Sequence, residues 1–385
     1  MHLAPFKAIR PKPQHMQLWV NRQIDDYSEY LTGEIDFISL ILPGVGKSEE
    51  IRTRLKSYQK QKLLVTDAEP SLYLLQIQDD DVQTLGFIGC ADTSLLVNKT
   101  IRPHEDVKKD QVKYFKEYIQ NTQLNAEPVL VCHPPNKELE DISYLFTNTK
   151  PFVSFERKGV LYKLWRMNHP NLITRVNNAL RSIDKLYIAD GHHRSFSSLA
   201  YAKEDASKNQ FMVMVLPHQQ IEIGSFCRMF KTLNDLRTDH FIAQLSTSFT
   251  VEKLSSHKPP RNAFEFCMYI GGSWFRLTSN RSKTATSTLS RIPTTIIYED
   301  IAKPLLDIQD LQYDKQLCYR NYDRSGQQMK AAVDEGAFIF GVEHHPIPFS
   351  DIISTVDECD LLPPKSTHIK PKPLLGMLIF DFLSQ

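Results

Sequence analysis

No two cysteines in this 385-residue chain have CxxC spacing. Cys90, Cys132, Cys227, Cys267, Cys318 and Cys359 lie far apart, which argues against a structural zinc site and against a small disulfide scaffold. They read as reduced thiols, several on apolar strands. Long hydrophobic runs are missing too. Nothing approaches the ~18 apolar residues a membrane-spanning helix requires, and the start, MHLAPFKAIRPKPQ, has no apolar h-region. The expectation is a cytoplasmic protein with no membrane partner. An excess of charge is likewise absent, since 46 Lys and Arg face 45 Asp and Glu. No overall field recruits nucleic acid, so any anion must be bound at a local site. With 41% hydrophobic and 24% charged residues, the composition is that of a globular protein.

What is present alternates between strand and helix signals. SEEIRTRLKSYQKQK has helical spacing at Ile51 and Leu55, after an apolar run at 34–44 that reads as a strand. Residues 70–92 read as an antiparallel hairpin around an acidic turn. A charged helix is expected over 106–123, with Val107, Tyr114, Tyr118 and Ile119 near one face. The strands EPVLVCHPP, KLYIAD and QFMVMVLP complete a mixed α/β half ending near residue 217. Beyond it, FEFCMYIGGSWFRLT is a hairpin signal, because Gly271 and Gly272 can both take positive φ. Residues 279–293 read as a mobile Ser/Thr-rich loop, or else a phosphate-contacting segment. IYEDIAKPLLDIQDL reads as a helix pair broken at Pro304, and GAFIFGVEHHPIP as a strand entering a turn at His344 and His345. No long linker marks the boundary, which is set at 1–217 and 218–385.

ILPGVGKSEE imitates a phosphate-binding P-loop through Gly46, Lys47 and Ser48, with Asp67 as the acidic strand end. The glycine required five residues before Gly46 is Ile41, so the cradle is incomplete. LYIADGHHRSFSSLAYA at 186–202 is better built for anions. An apolar strand leads through Gly191 into a helix whose buried stripe is expected at Phe196, Leu199 and Ala200. The turn therefore sits at a helix N-terminus, where unpaired amides and the helix dipole favour an anion. His192, His193 and Arg194 add donors, and Arg194 can grip phosphate oxygens bidentately. Asp190 would repel a phosphate unless it bound Mg²⁺ or acted on a hydroxyl. The plainer alternative makes Asp190 a cap, one histidine a core residue and Arg194 half of an ion pair. Adjacent histidines without HExxH spacing do not favour zinc.

YIADGHHR, IRPHE at 101–105 and LLPPKSTHIKPKPLLGMLIFDF, with PFKAIRP at 5–11 and DAEPSLYLLQI at 67–77, resemble in the same order the motifs of the domain of unknown function 1015 family. The DGHHR region of that family is similar to that of free L-serine kinases, which have the fold shared by partition protein B and sulfiredoxin. The resemblance implies that Gly191, His192, His193 and Arg194 contact nucleotide phosphates, that Asp190 lies near the metal or the substrate hydroxyl, and that Glu105 is a general base with His104 as its neighbour. Two departures stand out. VNRQIDDYSEY lacks the Pro-Pro-Tyr-Asp element, keeping only Asp26 and Tyr27, and GSFCRMF keeps Arg228 but puts Cys227 before it. In PPKST, Lys365, Ser366 and Thr367 serve either a phosphate or the chain's own carbonyls, and the following LLGMLIFDF reads as a C-terminal strand.

The fold expected is thus mixed α/β, with a core like that of partition protein B and sulfiredoxin and an elaborated C-terminal half. The function expected is phosphoryl transfer from ATP or ADP, with Mg²⁺, to the hydroxyl of a small metabolite such as free serine. The alternative is a non-catalytic regulator that binds a nucleotide or phosphometabolite.

Overall fold

The computed structural model describes residues 1–16, 48–79, 82–224, 226–321, 325–358, 361–370 and 372–384. The P-loop-like stretch before Ser48, the strand expected at 34–44, the VNRQIDDYSEY segment and Cys359 lie outside the described residues. The chain divides into two compact units. One comprises Met1–Pro103, Val107–Ile221 and Pro371–Gln385, the other His104–Asp106 and Glu222–Lys370. The mixed α/β class expected from the sequence holds in both.

The first unit is built on an eight-stranded sheet. Its strands are β1 (Leu72–Asp79), β2 (Val82–Asp92), β3 (Ile101–Arg102), β4 (Val129–His133), β5 (Val153–Arg157), β6 (Val160–Met167), β7 (Leu186–Asp190) and β8 (Gln210–Pro217), in the order β3-β7-β4-β8-β2-β1-β6-β5. The expected hairpin is β1 and β2, antiparallel from Tyr73↔Ile88 to Asp79↔Val82. The central strands are buried on nearly every residue, as for Val129–His133 and Leu186–Ala189, because a sheet covered on both faces replaces alternation with continuous apolar runs. Leu74, Val131, Ile188 and Val213 belong to its main core.

The longer helices of this unit, among the described residues, are α1 (Ser48–Lys60), α2 (Lys109–Thr122), α3 (Lys137–Thr147), α4 (Pro170–Arg181) and α5 (His192–Ala202). On α2, Tyr118 and Ile119 are buried as expected, while Tyr114 is exposed. Helix α5 corrects the expected stripe. Its buried residues are His192, Ser195, Ser197, Ser198 and Tyr201, whereas Phe196, Leu199 and Ala200 are half-buried. Serine hydroxyls survive there because each finds a carbonyl: Ser195 bonds His192, Ser198 bonds Arg194, and Ser197 bonds both His193 and, at 3.0 Å, Val112 on α2. Their small volume lets the two helices approach closely, which bulkier apolar residues would prevent.

Two motifs of the family resemblance meet in this unit. Arg10 of PFKAIRP and Asp67 of DAEPSLYLLQI form a buried ion pair, Nη2 to Oδ1 at 2.6 Å with Nε also donating, and the Tyr73 hydroxyl donates to Asp67 Oδ2 at 2.7 Å. Asp67 is therefore committed to a buried ion pair and a tyrosine hydroxyl. The C-terminal run contributes only Phe380–Asp381, paired with Leu124–Asn125, and an isolated bridge from Ile379 to Ile9. Its glycine and turns at 374–378 shorten the strand that the apolar composition promised.

The second unit carries a six-stranded antiparallel sheet: β9 (Phe226–Phe230), β10 (Phe249–Leu254), β11 (Glu265–Ile270), β12 (Ser273–Ser279), β13 (Leu317–Asn321) and β14 (Phe340–His344), in the order β10-β12-β11-β14-β9-β13. Gly271 and Gly272 sit at φ +54° and +73°, the positive pair that a two-residue hairpin turn between β11 and β12 requires. Phe230, Phe241, Phe266 and Phe340 anchor its core. The stretch expected to be a mobile loop contains a 3₁₀ turn at Asn280–Lys283 and a short helix at Thr288–Arg291, held by a Ser287–Ser290 capping box. Pro304 does not break its helix either. The run α6 (Pro293–Ile297) passes through a π turn at Tyr298–Ala302 into α7 (Lys303–Leu306), and a π turn just before a proline removes the demand for its missing N–H. Among the described residues no helix is long and apolar enough to cross a membrane.

Candidate functional site

The DGHHR turn is shaped by three local features. Strand β7 pairs in register with β4 at Tyr187↔Cys132 and Ile188↔Val131, then slips so that Asp190 faces Leu130. A bulge of this kind re-aims the side chain that follows it, here the Asp190 carboxyl. Gly191 then adopts φ +94°, ψ 27°, and α5 starts without a side-chain cap on its N-cap residue. A Cβ on Gly191 would lie 3.1 Å from Arg194 Cζ, so the bare glycine also leaves room for that guanidinium.

Asp190 is the electrostatic centre. Its Oδ2 accepts from Arg194 Nη2 at 2.7 Å and its Oδ1 from Lys372 Nζ at 2.9 Å. Burial would raise its pKa, but the cations of Lys372 and Arg194 outweigh that and hold the carboxyl below the usual carboxylate range. Arg194 Nη1 also meets Glu127 Oε1 at 3.0 Å and the Pro128 carbonyl at 2.8 Å. Burial pushes Glu127 up, Arg194 opposes, and Asp190 adds to the rise. Two carboxylates and two cations thus share one cluster beside a helix N-terminus.

His192 is buried at the first position of α5. His193 Nε2 accepts from the Lys108 amide at 3.1 Å, which fixes that ring's tautomer with the proton on Nδ1. Of the residues expected to act on phosphate, Gly191, His192, His193 and Arg194 therefore lie together with Asp190, as their adjacency requires. Lys372 and Glu127 were not foreseen. Lys372 follows PPKST by a few residues in a stretch that reads only as proline-rich, and Glu127 precedes Pro128 like an ordinary loop acid. A separate cavity of about 300 Å³ in the same unit is lined by Phe87, His133, Glu140, Tyr144 and Gln220 among others, and by none of the DGHHR residues.

The other expected residues belong to the second unit. His104 is buried, its Nε2 3.3 Å from Thr367 Oγ1, and its carbonyl accepts from the Leu362 amide at 2.8 Å. Glu105 forms an isolated parallel bridge with Leu362, so His104 and Glu105 lie beside the segment that leads into PPKST. Ser366 is buried against Thr294 Oγ1 at 2.7 Å and donates to the Pro363 carbonyl at 2.5 Å. Its hydroxyl is thereby committed to the chain itself. Lys365 is exposed at φ +56°. Arg228 is fully buried, with Nη1 3.2 Å from His344 Nε2, Nη2 donating to the Pro364 carbonyl at 3.5 Å, and its guanidinium 5.4 Å from the Tyr319 ring centre. Burial lowers its pKa to about 10. The turn foreseen at EHHPIP begins only after His344, which is strand and fully buried.

Fold and motifs together define a member of an uncharacterised mixed α/β family. The chain belongs to the family described as Protein of unknown function (DUF1015), whose model matches residues 3–298. The match ends before the PPKST segment. No curated protein matches the chain. Solved structures similar to it include a conserved hypothetical protein from Pyrococcus furiosus, 14% identical over 76% of this chain and 94% of that one, with a TM-score of 0.41. A free serine kinase in complex with AMP is 12% identical over 79% and 93%, with a TM-score of 0.42. SbnI from Staphylococcus aureus, truncated at its C-terminus, is 12% identical over 75% and 85%, with a TM-score of 0.41.

Proposed function

We propose that the DGHHR turn binds the phosphates of ATP or ADP and that the protein transfers a phosphoryl group to the hydroxyl of a small metabolite, with free serine as the first acceptor to test. The observation that carries this reading is the Asp190 cluster: an ionised carboxylate, the cations Arg194 and Lys372, and two histidines around an α5 N-terminus that lacks a side-chain cap. Phosphoryl transfer is mainly positioning and charge neutralisation, and these groups are of the kind it needs.

Asp190 fits Mg²⁺ in being ionised, and this cation takes one or two carboxylates and completes its shell with phosphate oxygens and water. Each Asp190 oxygen now accepts from a cation, so Lys372 and Arg194 would turn toward the phosphates as the metal is bound. Mg²⁺ would there neutralise charge on the phosphates. A carboxylate held so strongly ionised is a weak proton acceptor, which favours the metal-holding role for Asp190 over that of general base. Glu105 is the proposed base on the family resemblance alone.

The second reading, a regulator that binds without turnover, is favoured by one observation. Arg228 and Ser366, candidate site residues outside the DGHHR turn, are buried and committed to the chain itself, Arg228 to His344 and the Pro364 carbonyl and Ser366 to the Pro363 carbonyl, as in a chain that keeps the phosphate turn without the rest of the machinery. Glu105→Gln separates the two. A kinase loses phosphoserine formation and keeps nucleotide affinity, whereas a regulator forms no phosphoserine in either protein and binds nucleotide in both. Absence of nucleotide binding by the unmodified chain would contradict both readings.

A further inference from the structure

We propose that His257, Cys267 and Glu343 in the second unit form a binding site for one divalent cation of the zinc class. Cys267 on β11 and Glu343 on β14 are directly opposed in antiparallel register, which puts both side chains on one face of the sheet. His257 reaches them from the segment between β10 and β11, and its Nε2 lies 2.7 Å from Glu343 Oε2. One ligand atom from each of the three residues falls within 4.8 Å of the others. Zinc bonds of about 2.0–2.3 Å in a tetrahedron place ligand atoms roughly 3.5 Å apart, so the His257–Glu343 contact opens slightly and the sulfur closes in.

The imidazole is held in place from outside the cluster. The Trp274 ring meets it edge-on with centres 5.0 Å apart, and a Cβ on Gly326 would lie 2.5 Å from His257 Cδ2. Only glycine at 326 leaves that ring its position. Cys267 and Glu343 are 1% and 2% exposed, and a carboxylate so buried requires a cation beside it. A divalent ion supplies that charge and draws the nitrogen, sulfur and carboxylate ligands into one shell. One nitrogen, one sulfur and one carboxylate select zinc or cobalt over Mg²⁺ or Ca²⁺. Three protein ligands leave a fourth position for water or a small anion. Because sulfur binds the ion as thiolate, the Sγ proton leaves to solvent as the metal–sulfur bond forms.

The test uses the full chain, freed of metal by a chelator and titrated with Co²⁺ and then Zn²⁺. The expected result is a thiolate-to-cobalt charge-transfer absorption that saturates at one ion per chain and is displaced by Zn²⁺. Cys267→Ser abolishes the band, the control Cys318→Ser retains it, and His257→Gln weakens binding about tenfold or more. A folded wild-type protein with no charge-transfer band, or a band that persists in Cys267→Ser, overturns the proposal. Should Cys267→Ser fail to fold, zinc-edge X-ray absorption of the wild-type protein decides: one sulfur with nitrogen and oxygen neighbours supports the site, and a shell without sulfur, or no retained zinc, refutes it.

Discussion

Asp190 and Lys372, 182 positions apart, are joined by a 2.9 Å contact between Oδ1 and Nζ. The C-terminal segment thus returns to the first unit and supplies a second cation to the DGHHR turn. Lys372 is 46% exposed, so Lys372→Ala is expected to cost less than ~1 kcal/mol of stability. Its effect should instead fall on nucleotide affinity, reduced about tenfold when titrated calorimetrically with ADP, a loss worth ~1.4 kcal/mol. An unchanged affinity would remove Lys372 from the site.

Gly191→Ala introduces a Cβ at φ +94°, 3.1 Å from the Arg194 guanidinium. The strain should cost roughly 1–3 kcal/mol in chemical denaturation. Because Arg194 must also shift, nucleotide binding is expected to weaken, and a variant that binds as tightly as the wild type would separate the turn's geometry from its function.

The Arg10–Asp67 pair offers a stability prediction independent of any ligand. Both side chains are under a tenth exposed, and removal of the cation in Arg10→Ala leaves Asp67 buried with the hydrogen bond from the Tyr73 hydroxyl. A loss of about 3–5 kcal/mol is expected in urea unfolding. A loss below ~1 kcal/mol would mean that water or Arg166, whose Nη1 is 3.7 Å from Asp67, replaces Arg10.

Acid should destabilise the protein through buried histidines. Burial lowers His133 to about 4 and His344 to about 3, whereas unfolded histidine titrates near 6.5. Between those values the unfolded state binds more protons than the folded one, so stability rises with pH across that window and is lost as pH falls below about 6.5. Each such histidine contributes about 1.4 kcal/mol per pH unit there. Urea midpoints at pH 7, 6 and 5 measure the slope, and His133→Asn should flatten it by one histidine's share.

Much of the first unit's organisation is legible because its signals are local. DGHHR reveals itself through a strand, a glycine and a helix in unbroken sequence, and in the second unit Gly271–Gly272 dictates its hairpin as locally. What escaped was set by backbone geometry that residue type does not reveal, or by distant partners. The buried serines of α5 look polar until Val112 and the α5 carbonyls supply acceptors. Pro304 looks like a break until a π turn absorbs it. Lys372, Glu127 and the Cys267–Glu343 pairing depend on contacts between segments remote in sequence, which spacing rules for local motifs do not register.

Phosphorus NMR of the purified protein with Mg²⁺, serine and ATP or ADP tests the central claim most directly. The prediction is a growing phosphoserine resonance that Arg194→Ala abolishes while the variant stays folded. A phosphoserine signal undiminished in Arg194→Ala, or no signal from a protein that also fails to bind either nucleotide, would contradict a phosphate site at the DGHHR turn.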